Sequence, residues 1–231
     1  MDSTIFITGA AGNLGRAVAG AFAERGANLV LVDVHREALD KAFGAADKRR
    51  LLAPTNLLDQ AEVDATVKGA LERFGRIDVL CNIAGAFRIG PPVHETKDAD
   101  WDFLFDVNAR SVLHTSRAVV PAMLKSGGGK IVNVGAYAAQ KGAAAMGAYV
   151  ASKSAVIRIT ESMAAELREK NINVNCVLPT ILDTPDNRAA MPKADPRRWV
   201  STHDLAAVIV FLASDAARAV HGAAIPVSGL S

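Results

Sequence analysis

TIFITGAAGNLGRA, residues 4–17, decides how the chain is read. A short run rich in Thr and Ile fits a buried strand, three glycines break it, and an Ala-containing helical pattern follows at once. Gly9, Gly12 and Gly15 fall where a backbone turns tightly and lets a ligand come close, with Asn13 and Leu14 opening the helix between them. The amides at a helix start carry partial positive charge, so this turn suits a pyrophosphate. Its G-x-x-G-x-x-G spacing is one residue longer than the G-x-G-x-x-G dinucleotide fingerprint. The companion acid is Asp33, which ends the apolar run LVLV 18 residues beyond Gly15. A carboxylate there accepts hydrogen bonds from both hydroxyls of an adenosine ribose and repels a 2′-phosphate, which favours NAD(H). Arg36 nearby keeps NADP(H) possible. The plainer role for Asp33 is to cap a helix beginning near Arg36.

Outward from that stretch, short apolar runs alternate with longer helical patterns. Strands are expected at 4–8, 28–32, 50–53, 77–81, 130–134, 172–177 and 223–227, and helices near 14–25, 36–43, 60–74, 101–125, 146–170 and 203–212. Such alternation implies right-handed crossovers and a parallel sheet covered on both faces. The expected fold is therefore α/β: a doubly wound, parallel, seven-stranded sheet of Rossmann type, in one domain over residues 1–231. No repeat or low-complexity linker marks a second domain.

Composition excludes several function classes. The 231 residues are 50% hydrophobic and 22% charged with net charge +2, enough for one large core and no dominant field. Lys and Arg are scattered, so no nucleic-acid partner is expected. No run reaches membrane-spanning length, and Met1 leads straight into a strand pattern without a leader, which points to the cytoplasm. Cys81 and Cys176 lie in apolar runs and read as buried small hydrophobes. His35, His94, His114, His203 and His221 show no metal-ligand spacing and read as surface or cap residues, so no metal is expected.

A second stretch, GAYAAQKGAAAMGAYVASK at 135–153, carries the proton chemistry. Tyr149 and Lys153 are four apart, one helical turn, so phenol and ammonium share a small volume. A fixed cation beside a phenol favours the phenolate and lowers its pKa toward a useful range. Exposed helices also carry this spacing by chance, and context decides. Ser152 and Ser154 flank the pair without a His and Asp to make either a nucleophile. The small residues at 142–148 read as a flexible loop that can also widen a pocket.

Together TGAAGNLG, CNIAG at 81–85, Asn108 in DVNARS and YVASK at 149–153 resemble the short-chain dehydrogenase/reductase family over essentially the whole chain. The resemblance implies a nicotinamide-dependent oxidoreductase acting on a small molecule, commonly a homodimer or homotetramer formed partly through two long helices. It implies that Tyr149 exchanges the proton, that Lys153 holds the ribose, and that Asn108 helps to hold a relay water. A mid-helix Asn can also be no more than a mildly unfavourable packed residue. By the same resemblance Asn82, Ala84 and Gly85 line the adenosine side, Asn56 and Leu57 flank adenine, and Pro179, Ile181 and Thr184 contact the nicotinamide. Thr180 stands where the family commonly has glycine.

One departure matters more than these matches. The family usually places a serine thirteen residues before the tyrosine, and here that residue is Ala136, with Gly135 and Tyr137 beside it. Tyr137 points to the other face if the strand continues. Losing one oriented donor typically costs about 3 kcal/mol in carbonyl reduction. The segment 177–201, VLPTILDTPDNRAAMPKADPRRWVS, resembles that of dihydropteridine reductases, members of the family that prefer NADH and also lack the serine. Their substrate, a quinonoid dihydropterin, takes its proton on nitrogen, which makes the hydroxyl unnecessary. Residues 180–201 are expected to form a proline-stiffened substrate lid, with Trp199 anchoring its return and forming part of the substrate wall beside Ala136. Arg188, Lys193, Arg197 and Arg198 either meet an anionic substrate or are offset by Asp183, Asp186 and Asp195. Three readings stay open: dihydropterin reduction, general carbonyl, alcohol or 3-oxoacyl reduction, and a catalytically silent NAD-binding oligomer.

Overall fold

Strand and helix alternate as the pattern predicts in the computed structural model, which describes residues 3–231. β1 (Thr4–Thr8) passes through the glycine turn into α1 (Asn13–Ala23), and β2 (Asn28–Asp33), α2 (Arg36–Phe43), β3 (Arg50–Pro54), α3 (Gln60–Phe74) and β4 (Val79–Asn82) follow. α4 (Asp98–Phe105) and α5 (Ser111–Ser126) come next, then β5 (Gly129–Val134), α6 (Gly147–Leu167) and β6 (Ile172–Pro179). The chain closes with β7 (Leu182–Asp183), α7 (Pro185–Ala190), β8 (Val200–Ser201), α8 (Thr202–Leu212) and β9 (Ala224–Val227).

Seven strands form one parallel sheet in the order β3-β2-β1-β4-β5-β6-β9. The order reverses between β1 and β4, so the two crossover directions diverge there and leave a crevice beyond the strand ends. Two apolar layers cover the sheet. Leu14 and Val18 of α1 pack with Leu205 and Ile209 of α8 on one face, and Val67 of α3, Met123 of α5 and Leu167 of α6 pack on the other. Burial of each such side chain is worth about 1.5–3 kcal/mol, which is what holds the helices to the strands. Local chemistry sets the element ends: the Asp59 side chain accepts from the amides of Ala61 and Glu62 to start α3, and left-handed Gly75, at φ +79°, stops it.

Three expectations change. The helix expected over 101–125 starts earlier, at Asp98, and is divided by a π-helical turn, Asp106–Arg110, that inserts one extra residue between α4 and α5. The segment read as a proline-stiffened lid carries its own secondary structure: Leu182 and Asp183 pair in parallel with Val200 and Ser201, and α7 stands between them. Pro185 opens α7 at a position that needs no amide donor, and the Thr184 hydroxyl accepts from the Asn187 amide at 3.2 Å. His114 is no surface residue; it is buried, and its Nδ1 meets the Leu57 carbonyl at 2.9 Å. Cys81 and Cys176 are buried and free. Among the described residues no helix is long and apolar enough to cross a membrane. Met1 and Asp2, the start on which the leaderless reading rests, lie outside the described residues.

Candidate active site

At the switch point a cleft of about 560 Å³ runs from the glycine turn past Asp33 and residues 55–58 to residues 83–85. Its narrowest wall is made of backbone. Gly9 has φ +62°, and a Cβ on it would lie 2.9 Å from the Ala84 backbone. A Cβ on Gly15 would lie 2.2 Å from the Gly9 carbonyl oxygen, so α1 could not approach the turn at all. Gly12 is looser; there a Cβ would meet only the Gly9 oxygen, at 3.3 Å. The Asp33 carboxylate accepts from the amides of Ala11 (3.0 Å) and Val34 (2.9 Å), tying the turn to the end of β2. Capping α2 is therefore not its role: the residue before that helix is His35. Arg36 is engaged with Asp40 at 2.9 Å.

Two supports of the cleft escape sequence reasoning. The Thr8 hydroxyl accepts from the amides of Ile83 (3.0 Å) and Ala84 (3.1 Å), fixing the loop after β4 against the end of β1. Behind it runs a buried polar chain. Thr115 donates to the Asn82 oxygen at 2.7 Å, Asn82 donates to Asn133 at 2.8 Å, and Asn133 donates to Thr160 at 2.9 Å. The chain joins β4 and β5 to α5 and α6, and every member is buried, so removing one leaves its neighbours desolvated without a partner. Its only sequence signal is Asn inside apolar strand runs. Asn56 and Leu57 line the cleft, where Asn56 accepts from the Leu58 amide at 3.0 Å. Pro179 ends β6, Thr184 caps α7, and both, with Ile181, stand beyond the residues that line the cleft.

The three candidate proton-handling groups converge from two elements. Tyr149 and Lys153 lie on α6, and Asn108 lies on the π-helical turn, buried. The Asn108 oxygen accepts from the Ala86 amide (2.8 Å), and its nitrogen donates to the Ala86 carbonyl (3.1 Å) and to the Ser152 hydroxyl (2.9 Å). Both amide hydrogens are thus engaged, so water can meet this residue only at oxygen. Ser152, missed as a participant from sequence, passes the contact on by donating to the Tyr149 carbonyl at 2.8 Å. Gly85 joins the two halves of the site: a Cβ there would lie 2.9 Å from Lys153 Nζ and 3.0 Å from Asn108 Oδ1.

Electrostatics correct the expected pairing of Tyr149 with Lys153. Burial pushes the Tyr149 phenol up to about 12. Burial also pulls Lys153 down to about 8, with Cys176 opposing the shift. Lys153 Nζ donates to the Val134 carbonyl at 2.8 Å, and desolvation outweighs any help it gives the phenolate. Burial thus opposes the lowering of the Tyr149 phenol that the helical spacing predicts.

Ala136 is buried in an apolar group with Val112, Val156, Cys176 and Leu178, against which Tyr149 packs. The strand does not continue past it: β5 ends at Val134, and Tyr137 opens a 3₁₀ turn where it is 45% exposed. Ser154 donates instead to the Ala139 carbonyl at 2.8 Å. In the 180–201 segment Arg188 holds Asp183 through two bonds (2.6 and 2.8 Å), and Arg197 holds Asp195, which supports the offset-charge reading of these cations. Trp199 is an anchor, buried beside Gly229, and lines neither cavity of the site. The second cavity, about 130 Å³, lies beside Tyr149 between the loop after β4, the start of α4 and the start of α6. Phe87 meets the Tyr149 ring edge-on at 4.8 Å. Among the described residues no cluster of His, Cys, Asp or Glu could hold a metal.

A crevice lined by a glycine turn at the switch point of a doubly wound sheet, together with a family match over most of the chain, makes this chain an NAD(P)-dependent oxidoreductase. It belongs to the short-chain dehydrogenase family, whose model matches residues 3–195. The 3-oxoacyl-(acyl-carrier-protein) reductase of Thermotoga maritima is 34% identical over 96% of this chain and 95% of its own. D-threitol dehydrogenase of Mycolicibacterium smegmatis is 34% identical over 96% and 90%. Among solved structures, NAD⁺-bound xylitol dehydrogenase superposes with a TM-score of 0.89 at 29% identity, covering 98% of each chain. None of these three is a dihydropteridine reductase, so that resemblance rests on residues 177–201 alone.

Proposed function

We propose that the chain is an NAD(H)-dependent reductase of a small conjugated ring whose own nitrogen takes the proton, of the quinonoid dihydropterin kind. Ala136 carries this reading: the place of the usual hydroxyl is a buried methyl in the apolar cluster against which Tyr149 packs. A ketone reduced there would lack one of its two oxygen donors, a deficit of about 3 kcal/mol. A conjugated imine has no such requirement, because the developing charge is spread over the ring.

The residues present fit the cofactor. Glycines without room for a Cβ leave backbone amides at the start of α1 to take a pyrophosphate, and the carboxylate of Asp33, already oriented by two amides, keeps free lone pairs for ribose hydroxyls. Asn56, Leu57, Asn82, Ala84 and Gly85 would line the adenosine side, and Pro179, Ile181 and Thr184 the nicotinamide side. When bound, the nicotinamide supplies or accepts hydride at its C4. Lys153 holds the adjoining ribose, Tyr149 donates its proton to the reduced substrate, and Asn108 fixes α6 and orients the water that reprotonates the site. Residues 180–201 close over the substrate, and the α4–α5 and α6 helices join copies into a cytoplasmic dimer or tetramer.

A second reading, reduction of a ketone or 3-oxoacyl group or oxidation of an alcohol, is favoured by the relatives' activities. NADH and NADPH oxidation with quinonoid dihydropterin generated in the assay, beside ketones, quinones and acyl thioesters, separates the two. Fast NADH-dependent pterin turnover where ketones fail is the expected result. Ketone turnover without pterin turnover would establish the second reading, and NADH binding with neither would identify a silent nucleotide-binding protein.

A further inference from the structure

We infer that the cavity beside Tyr149 reads the amide edge of a ring, a ring N–H next to a ring C=O, through Arg88 and Asp100. The inference rests on the conjugated-ring reading above and names the feature by which such a ring is chosen. At about 130 Å³ the cavity admits on the order of ten water-sized groups, the scale of a bicyclic heteroaromatic ring. Tyr149, Arg88 and Asp100 all line it. Its walls are set by backbone. The Gly90 amide donates to the Ala145 carbonyl at 2.8 Å, with Ala145 held at φ +58°, and a Val93 methyl occupies the space a Cβ on Gly147 would need, 2.6 Å away.

Arg88 is oriented twice. One guanidinium N–H donates to Asp100 Oδ1 at 2.9 Å, and the guanidinium carbon lies 3.8 Å from the centroid of the Phe103 ring. Side chains this exposed, 48% and 44%, gain little stability from pairing. What the pair does offer the cavity is unused N–H groups of the fork beside the second carboxylate oxygen, a donor next to an acceptor. An amide edge is complementary to that pattern: its oxygen meets Arg88 and its N–H meets Asp100. A carboxylate meets Arg88 but has no N–H for Asp100, and a plain hydrocarbon or quinoxaline ring uses neither the remaining guanidinium N–H groups nor the second carboxylate oxygen.

Binding of two unreactive probes to the NADH-loaded protein tests this directly: 2-amino-4-oxopteridine, which has the amide edge, and quinoxaline, which has the size without it. The pteridine is expected to bind at least about tenfold tighter, with Arg88→Lys and Asp100→Asn each erasing most of that advantage and leaving quinoxaline within about twofold. Unchanged melting temperatures in both variants confirm intact folding. Equal binding of the two probes, or pteridine binding indifferent to both substitutions, overturns the inference. If the selectivity is found but quinonoid dihydropterin is not reduced, the site stands and the reaction proposed above falls. If reduction proceeds with no dependence on Arg88 or Asp100, the reaction stands and the site falls.

Discussion

The proposed nucleotide side of the site is made largely of backbone and the proposed catalytic side of side chains. Around Gly9 and Gly15 the specification is a negative one, the absence of a Cβ where α1 and the loop after β4 come within 2.2 to 2.9 Å of the space it would fill. Around Tyr149 it is positive: an acid, a buried ammonium and an Asn–Ser clamp, each hung on a different point of α6 or the π-helical turn. The first kind fails through the fold, the second through chemistry alone.

The sharpest test of that division is Tyr149→Phe. It should lower turnover by about 10² to 10⁴ on a ketone, less on a substrate protonated at nitrogen, and leave urea stability within experimental error of the wild type. Turnover that survives intact on both substrates would remove the acid role. Next in size is the pair Gly15→Ala and Gly12→Ala. The first forces a Cβ onto the immovable Gly9 carbonyl and should cost about 1–3 kcal/mol of stability together with roughly a hundredfold in NADH affinity. The second should keep the melting temperature and weaken NADH only; equal melting losses in the two would break the comparison.

Lys153 gives a pH test on the catalytic side. Its folded pKa, about 8, lies below the ordinary lysine value of 10.5, so the unfolded chain binds more protons between those values. The cost of burying the ammonium is fully present below pH 8 and is relieved as pH rises toward 10.5. Tyr149, raised to about 12, works the other way, but only above pH 10. From pH 8 to 10 the stability of the wild type relative to Lys153→Met, measured by urea unfolding so that the opposing contributions of the buried Cys81 and Cys176 thiols largely cancel, should therefore rise by on the order of 2 kcal/mol, and a flat difference would contradict the burial argument. The smallest effect is expected from Asp33→Ala, which should shift the NADH-to-NADPH preference by about tenfold toward NADPH, read as a ratio of dissociation constants. No shift would mean that the carboxylate serves only to tie Ala11 and Val34 together.

The same division explains what could be read from sequence. β1, α2 and α3 match their expected bounds because apolar period, caps and glycine stops are local signals. The glycine turn was equally legible, since a missing Cβ is written in the residue itself. The polar chain through Asn82 and Asn133 was not, because an Asn in a strand reads the same whether it faces solvent or a buried partner. Nor was the Arg88–Asp100 pair, whose members are brought together only by the packing of a loop on α4. Lys153 was legible only in part: helical spacing placed it one turn from Tyr149 on α6, while its reach to the Val134 carbonyl depends on how α6 lies on β5.

The extra residue of the π-helical turn has a further consequence for how this chain tolerates change in length. Each residue in a helix advances the next by about 100°. A one-residue deletion within 106–110 would turn the π-helical turn into an ordinary α-helical one and leave Thr115 on Asn82 and His114 on Leu57, whereas the same deletion at the start of α5 would swing both off their partners. The exposed loop at 142–144 can lose a residue without turning anything behind it. In this fold the long α4–α5 rod is thus indexed like a key, and its single irregular turn is a position where a sequence shortened by one residue would still fit the lock.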